Sequence, residues 1–95
     1  MTKLEKFIDY VNSHGWEEFN REDKEILGYI DFHYLHYTPY YLRIWYHLDD
    51  LDKLNSAHLI MNTSGDFWYR SLDIKDAQTD KYILTFFIEL VDKFF

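Results

Sequence analysis

Residues 40–48 alternate between two kinds of side chain, and this alternation constrains the fold more than any other feature of the chain. The even-numbered positions are all apolar or aromatic, namely Tyr40, Leu42, Ile44, Tyr46 and Leu48. The odd-numbered positions hold Tyr41, Arg43, Trp45 and His47. A period of two with aromatic and β-branched residues is typical of a strand with two different faces. The run therefore predicts a strand in a sheet that buries one face.

A second alternating run covers residues 29–35. Ile30, Phe32 and Tyr34 fall on one face, and the residues between them fall on the other. The Thr38-Pro39 step lies between the two runs and is typical of a turn. The two runs thus predict an antiparallel hairpin whose inner face carries Ile30, Phe32, Leu42 and Ile44.

The first residues predict a helix from about Thr2 to His14. Thr2-x-x-Glu5 matches a capping box. Apolar residues then recur at helical spacing, and Gly15 stands where a C-terminal cap is expected. These apolar residues are Leu4, Phe7, Ile8 and Val11.

Residues 79–95 are largely apolar, and polar residues at positions 81, 85, 89 and 93 interrupt the run every fourth position. Its length and that polar stripe favour a helix over a strand. The apolar arc is wider than one contact face needs, so we expect the helix to be wedged against the rest of the fold or to form an oligomer seam.

Two more strands are predicted at 57–63 and 67–72, because Ser64-Gly65-Asp66 between them is a hairpin signature. Residues 17–25 and 49–55 are charged and are interpreted as connections, each with room for one helical turn. The chain is thus expected to be a single α+β domain, 1–95. We expect a four-stranded antiparallel sheet with an N-terminal and a C-terminal helix on one face.

Charge and composition narrow the function. The net charge of −7 disfavours direct binding to nucleic acid or to anionic membranes and is compatible with a basic protein partner. The chain has no cysteine, no signal peptide is recognised at its start, and no run is long enough to span a membrane. These features favour the cytoplasm. No catalytic motif is present, so we expect neither an enzyme nor a cofactor.

Aromatic residues make up 21% of the chain, more than one small core should need, so some rings are expected at a binding surface. The face opposite the core would combine rings with Arg43, and an acidic cluster follows at residues 49–52. The predicted partner-binding residues are Tyr29, Asp31, Tyr41, Arg43, Trp45, Asp49, Asp50 and Asp52. The plainer alternative is that these rings only pack across strands and that the acids are solvated loops.

The leading hypothesis is a small module that binds and inhibits or modulates a larger, basic, nucleic-acid-handling protein. In its sharpest version the acidic clusters imitate the phosphates of a nucleic acid. These clusters are Glu17/Glu18, Glu22/Asp23/Glu25, Asp49/Asp50/Asp52 and Asp73/Asp76/Asp80. A short acidic chain of this kind suggests an anti-defence protein of a phage or mobile element, although no residue motif supports that likeness.

Two alternatives stay open. The chain would be a structural subunit if it formed homo-oligomers through its C-terminal helix, with Phe87, Val91 and Phe95 as the seam. A metal site is chemically possible if His33, His47 and Asp31 lie together on the outer face of the sheet.

Overall fold

The computed structural model describes residues 1–34, 40–63, 66–68 and 81–95 and shows a helix, then strands, then a helix. Within these residues the helices are α1 (Lys3–Ser13) and α2 (Lys81–Phe94). The strands are β1 (Trp16–Asp23), β2 (Leu27–Tyr34), β3 (Tyr40–His47), β4 (Asp50–Thr63) and β5 (Asp66–Trp68). They form one antiparallel sheet in the order β1-β2-β3-β4-β5. The predicted α+β class is confirmed.

The inner face of the sheet follows from the predicted alternation. Phe32 lies opposite Leu42, and Ile30 lies opposite Ile44, in the β2–β3 ladder. All four side chains are buried, and Leu42 pairs in turn with the buried Leu59 of β4. The period of two therefore placed the apolar residues of both strands in one core.

Both helices cover this inner face. The ring of Phe7 on α1 lies 6.2 Å from the ring of Phe32 and 5.2 Å from that of Phe94 on α2. The buried stripe of α2 consists of Ile83, Phe86, Leu90 and Phe94. Burying a side chain of this size stabilises the fold by about 1.5–3 kcal/mol. A few rings shared by three elements thus hold the layers together.

The ends of α1 agree with the sequence signals. Thr2 is the N-cap, its hydroxyl accepts a hydrogen bond from the backbone N–H of Glu5 at 3.2 Å, and the Glu5 carboxylate bonds back to the Thr2 N–H. Gly15 follows the helix with a φ of 90°, a conformation that costs glycine little. The capping box and the glycine therefore set the helix limits.

The segment from Glu17 to Glu25 was expected to be a connection, and this is wrong, because residues Trp16–Asp23 form β1 at the edge of the sheet. Only Trp16 of this strand is buried. Edge strands are commonly charged, since charges block pairing with other chains. The charges that suggested a loop are therefore the protection of an exposed edge.

The acidic connection expected at 49–55 is wrong from Asp50 onward, because β4 begins there. The β3–β4 turn is only Leu48-Asp49. The register against β3 shifts twice, so that His47 faces Asp50 while Tyr46 faces Leu54. Residues 51–53 are thus extra residues in an irregular ladder, which hides the alternation of a strand.

The remaining predictions are partly covered by the described residues. The C-terminal segment is a helix, as predicted. The predicted hairpin exists in the pairing of Thr63 with Asp66 and of Met61 with Trp68. The turns at Thr38-Pro39 and Ser64-Gly65, the rest of the strand expected at 67–72, and the acidic cluster Asp73/Asp76/Asp80 lie outside the described residues.

Candidate functional site

The sheet brings five of the predicted site residues together on its outer face, opposite the helices. In the β2–β3 ladder, Tyr29 faces Trp45 and Asp31 faces Arg43, while Tyr41 lies opposite His33 at the far end. The predicted cluster therefore exists as a spatial neighbourhood.

An ion pair occupies the centre of this neighbourhood. Arg43 donates from Nε to Oδ1 of Asp31 at 2.7 Å and from Nη2 to Oδ2 at 3.0 Å. Asn20 of β1 donates a further hydrogen bond to Asp31 at 3.1 Å. Asp31 is 2% exposed, and the Arg43 guanidinium lies 3.9 Å from the centroid of the Tyr29 ring. These groups satisfy one another across three strands.

The expectation that this face is open to solvent is wrong for Tyr29, Asp31 and Tyr41, which are buried. Trp45 is half-buried, and its ring lies 4.7 Å from that of Tyr29. Cross-strand packing of this kind stabilises a sheet by itself. Trp45 is therefore the predicted ring that retains the most open surface for a partner on this face.

Phe19 is an outer-face ring that the sequence did not single out. The β1–β2 register shifts between Glu18 and Asn20, so Phe19 is the extra residue of a β-bulge. Its ring lies 5.2 Å from that of His33 and 5.7 Å from that of Tyr41, and it is 51% exposed. The alternation of side chains could not predict on which face of the sheet Phe19 lies. The extra residue of the bulge moves every later residue of β1 to the opposite face from the one that a regular strand would give it.

The second candidate surface lies at one end of the sheet, where the β1–β2 and β3–β4 turns meet. The backbone N–H of Leu48 donates to the carbonyl of Ile26 at 3.1 Å, which joins the two turns. Two acidic clusters far apart in sequence thus converge. We call this end the acidic tip, defined by Glu22, Asp23, Glu25, Ile26, Asp49, Asp50 and Leu51.

Two apolar side chains stand among these acids. Ile26 is 72% exposed, and Leu51 is 38% exposed. The acids Glu22, Asp23, Glu25 and Asp49 are exposed as well. An apolar centre with a charged rim is the composition of a protein-binding patch. Sequence reasoning missed both residues, because Ile26 directly precedes Leu27 at the start of an apolar strand and Leu51 lies alone between Asp50 and Asp52.

The predicted acids at residues 49–52 do not have equal roles. The Asp52 carboxylate accepts a hydrogen bond from the backbone N–H of Lys3 at 3.0 Å, at the start of α1. The Asp50 carboxylate accepts one from the backbone N–H of Asp52 at 3.0 Å. Both therefore support local structure, whereas Asp49 lies exposed in the turn.

The electrostatics of the sheet show two shifted groups near these surfaces. Burial lowers the pKa of His58, and the neighbouring charge of Arg43 lowers it further. Burial raises the pKa of Tyr46, while Asp23 and Glu18 raise it further and Arg21 opposes them. Carboxylates of β1 thus act on β3, across the intervening strand β2.

The metal site considered from the sequence does not assemble. His33 lies opposite Tyr41 and His47 lies opposite Leu27, so the two histidines are at opposite ends of the ladder. Asp31 is bound to Arg43. Within the residues described, no cluster of three or more His, Cys, Asp or Glu side chains is placed to hold a metal ion.

Comparison with known protein families, curated proteins and solved structures finds no match to this chain. Neither described helix has the length and hydropathy needed to cross a membrane.

Proposed function

We propose that this chain is a cytoplasmic protein-binding module that uses its acidic tip to bind a larger, basic partner. The observation that carries the proposal is the exposure of Ile26 among acids from two separate turns. An isoleucine side chain exposed to water has an unfavourable solvation free energy and adds nothing to the core. In a pocket of a partner the same side chain would bury its apolar surface. The surrounding carboxylates would select a basic partner and speed its association.

The finer proposal concerns the partner. The partner is a protein that binds nucleic acid. The acidic tip occupies the partner surface that binds the phosphates of the nucleic acid, so this chain inhibits or modulates the partner. Support comes from the convergence of Glu22, Asp23 and Glu25 with Asp49 and Asp50 at one end of the sheet. An inhibitor of host defence from a phage or mobile element would act in this way.

The predicted outer-face residues contribute to this surface in different ways. Trp45 is half-buried and lies two residues before His47, which ends β3 on the side of the acidic tip. We propose that Trp45 extends the contact area. The Arg43–Asp31 pair, together with Tyr29 and Tyr41, would keep this part of the sheet rigid below it.

The test compares two double variants with the same loss of charge. Glu25→Gln with Asp49→Asn removes two of the five negative charges of the acidic tip, and Glu89→Gln with Asp92→Asn removes two from exposed acids of α2. Basic proteins captured from bacterial lysate by the wild type should be lost with the first variant and kept with the second. Equal capture by both variants would refute the proposal.

A competition experiment tests the finer proposal on the captured partner. Duplex DNA or RNA should displace this chain from that partner, and the affinity should fall as salt rises. A partner that binds nucleic acid and this chain at the same time would contradict mimicry, while leaving the acidic tip as the binding surface.

A second candidate function is self-assembly through α2, and the exposure of Ile88 and Phe95, 51% for each, favours it. Of the predicted seam, Phe87 packs partly on the core, Val91 is half-buried and Phe95 is exposed. Analytical ultracentrifugation distinguishes the two functions, because a monomer at high concentration excludes self-assembly.

A further inference from the structure

A groove of about 830 Å³ lies between α1 and the C-terminal end of α2, on the opposite side of the sheet from the outer face. Its lining includes Lys3, Lys6 and Lys93, with Tyr10 and Phe94 as aromatic surface. Three cations at one place are unexpected in a chain with a net charge of −7. The groove is therefore a locally positive region of an acidic molecule.

Among the described residues these lysines lack an acidic partner, as does Lys53 outside the groove, whereas three other cations have one. Arg21, Lys24 and Arg43 each form an ion pair, with distances of 2.7, 3.8 and 2.7 Å. Among the side chains that the structure describes, Lys3, Lys6 and Lys93 form none. Lys93 instead places its Nζ 5.2 Å from the centroid of the Tyr10 ring.

The helix gives no structural reason for two of these charges. Lys3 and Lys6 lie in the first turn of α1, where the positive end of the helix dipole disfavours a cation. Three N–H groups of this end already have acceptors, since that of Lys3 bonds to the Asp52 carboxylate and those of Glu5 and Lys6 bond to Thr2. We therefore expect a ligand in the groove to bind the lysine side chains.

The carboxylates in the groove leave the lysines in excess. Asp9 and Asp52 also belong to the lining, so three ammonium groups stand against two carboxylates. The Asp52 carboxylate is engaged by the Lys3 N–H. The net charge of the chain repels acidic ligands at long range, but salt screens this beyond about 8 Å at physiological ionic strength. Local contacts with the lysines then decide what binds.

We propose that this groove binds an acidic segment of a partner protein. Lys3, Lys6 and Lys93 pair with carboxylates of the segment, and its apolar atoms contact Tyr10 and Phe94. The mixed lining fits a peptide better than an inorganic anion, because a single phosphate would fill only a small part of the groove. The module would then carry two surfaces of opposite charge, the acidic tip and this groove.

The test uses a fluorescein-labelled synthetic peptide of alternating glutamate and alanine, with fluorescence anisotropy at physiological salt. Lys6→Gln and Lys93→Gln should each weaken binding about two- to five-fold, the range expected for one exposed ion pair. Lys53→Gln is the matched control, because it removes one exposed, unpaired lysine outside the groove and should leave affinity unchanged. A peptide of alternating lysine and alanine should bind the acidic tip instead, so its affinity should not fall with Lys6→Gln or Lys93→Gln.

Four results would overturn the proposal. The first is no saturable binding, and the second is an equal loss from Lys53→Gln and Lys6→Gln. The third is displacement of the peptide by millimolar inorganic phosphate, and the fourth is self-association that depends on these lysines. Either of the last two would assign the groove to another occupant. Circular dichroism of each variant checks that the fold is intact. Binding should not respond to Glu25→Gln with Asp49→Asn, which separates this groove from the acidic tip.

Discussion

Arg43 and Asp31 form a bidentate ion pair across the β2–β3 ladder on the outer face of the sheet, with N–O distances of 2.7 and 3.0 Å. Both residues were predicted to bind a partner. Asp31 is nearly inaccessible, and the Tyr29 ring lies against the guanidinium. The pair therefore acts first on the stability of the sheet.

Arg43→Met should destabilise the fold by about 3–5 kcal/mol, because it leaves the Asp31 carboxylate buried without its cation. Urea unfolding followed by circular dichroism measures the change. Arg21→Met is the matched control, since the Arg21–Glu18 pair is largely exposed and its loss should cost less than about 1 kcal/mol. Equal costs for the two variants would contradict a structural role for the Arg43–Asp31 pair.

The elements that sequence reasoning predicted are those with an uninterrupted period. The period of two in β2 and β3 gave the inner face, and the capping box with Gly15 gave the limits of α1. Every second residue of β2 and β3 enters the core, and every third or fourth residue of α1 does. Local propensity and burial therefore agree in these segments.

The missed elements lack such a period for physical reasons. β1 buries only Trp16 of its eight residues, so its exposed edge reads as a polar loop. The start of β4 shifts register twice against β3, and the bulge at Phe19 reverses parity in β1. Irregular pairing and edge exposure both erase the alternation on which strand prediction depends.

The candidate site was predictable only in part. The sequence marked the acids at residues 49–52, but the meeting of the two turns depends on a backbone hydrogen bond between Leu48 and Ile26, residues far apart in the chain. The outer-face residues were placed on the correct side of the sheet. Their burial depends on cross-strand neighbours, which no local pattern encodes.

Trp16 offers a test of the β1 assignment. It is 1% exposed, its ring stacks on that of Phe86 at 5.5 Å, and within the described residues its indole N–H has no acceptor. Trp16→Ala should cost about 3–5 kcal/mol of unfolding free energy. Trp16→Phe should cost less than half as much, because it keeps the stacking and removes a buried, unpaired donor. Denaturant unfolding that gives equal losses would show that the N–H has a partner.

His58 predicts a pH dependence of stability. Its pKa in the folded state lies below the ordinary value of 6.5, because burial and Arg43 disfavour the charged form. The unfolded chain therefore binds the proton more readily, and stability falls as the pH drops from 6.5 towards the folded pKa. Thermal unfolding at about pH 7.5 and about pH 5 should show a smaller drop for His58→Gln than for the wild type. An identical drop in both proteins would exclude His58 as its source.

Ile26 and Ile88 are two exposed isoleucines that separate the two proposed functions. Each is more than half exposed, so replacing either with serine should leave the unfolding free energy within about 0.5 kcal/mol of the wild type. Ile26→Ser removes the apolar centre of the acidic tip and should weaken binding of the captured basic partner by about tenfold, as expected for a truncated hot spot. Ile88→Ser should leave that affinity unchanged and weaken only self-association. Isothermal titration with the partner and sedimentation equilibrium of the chain alone measure the two effects, and the reverse pattern would assign function to α2 and not to the acidic tip.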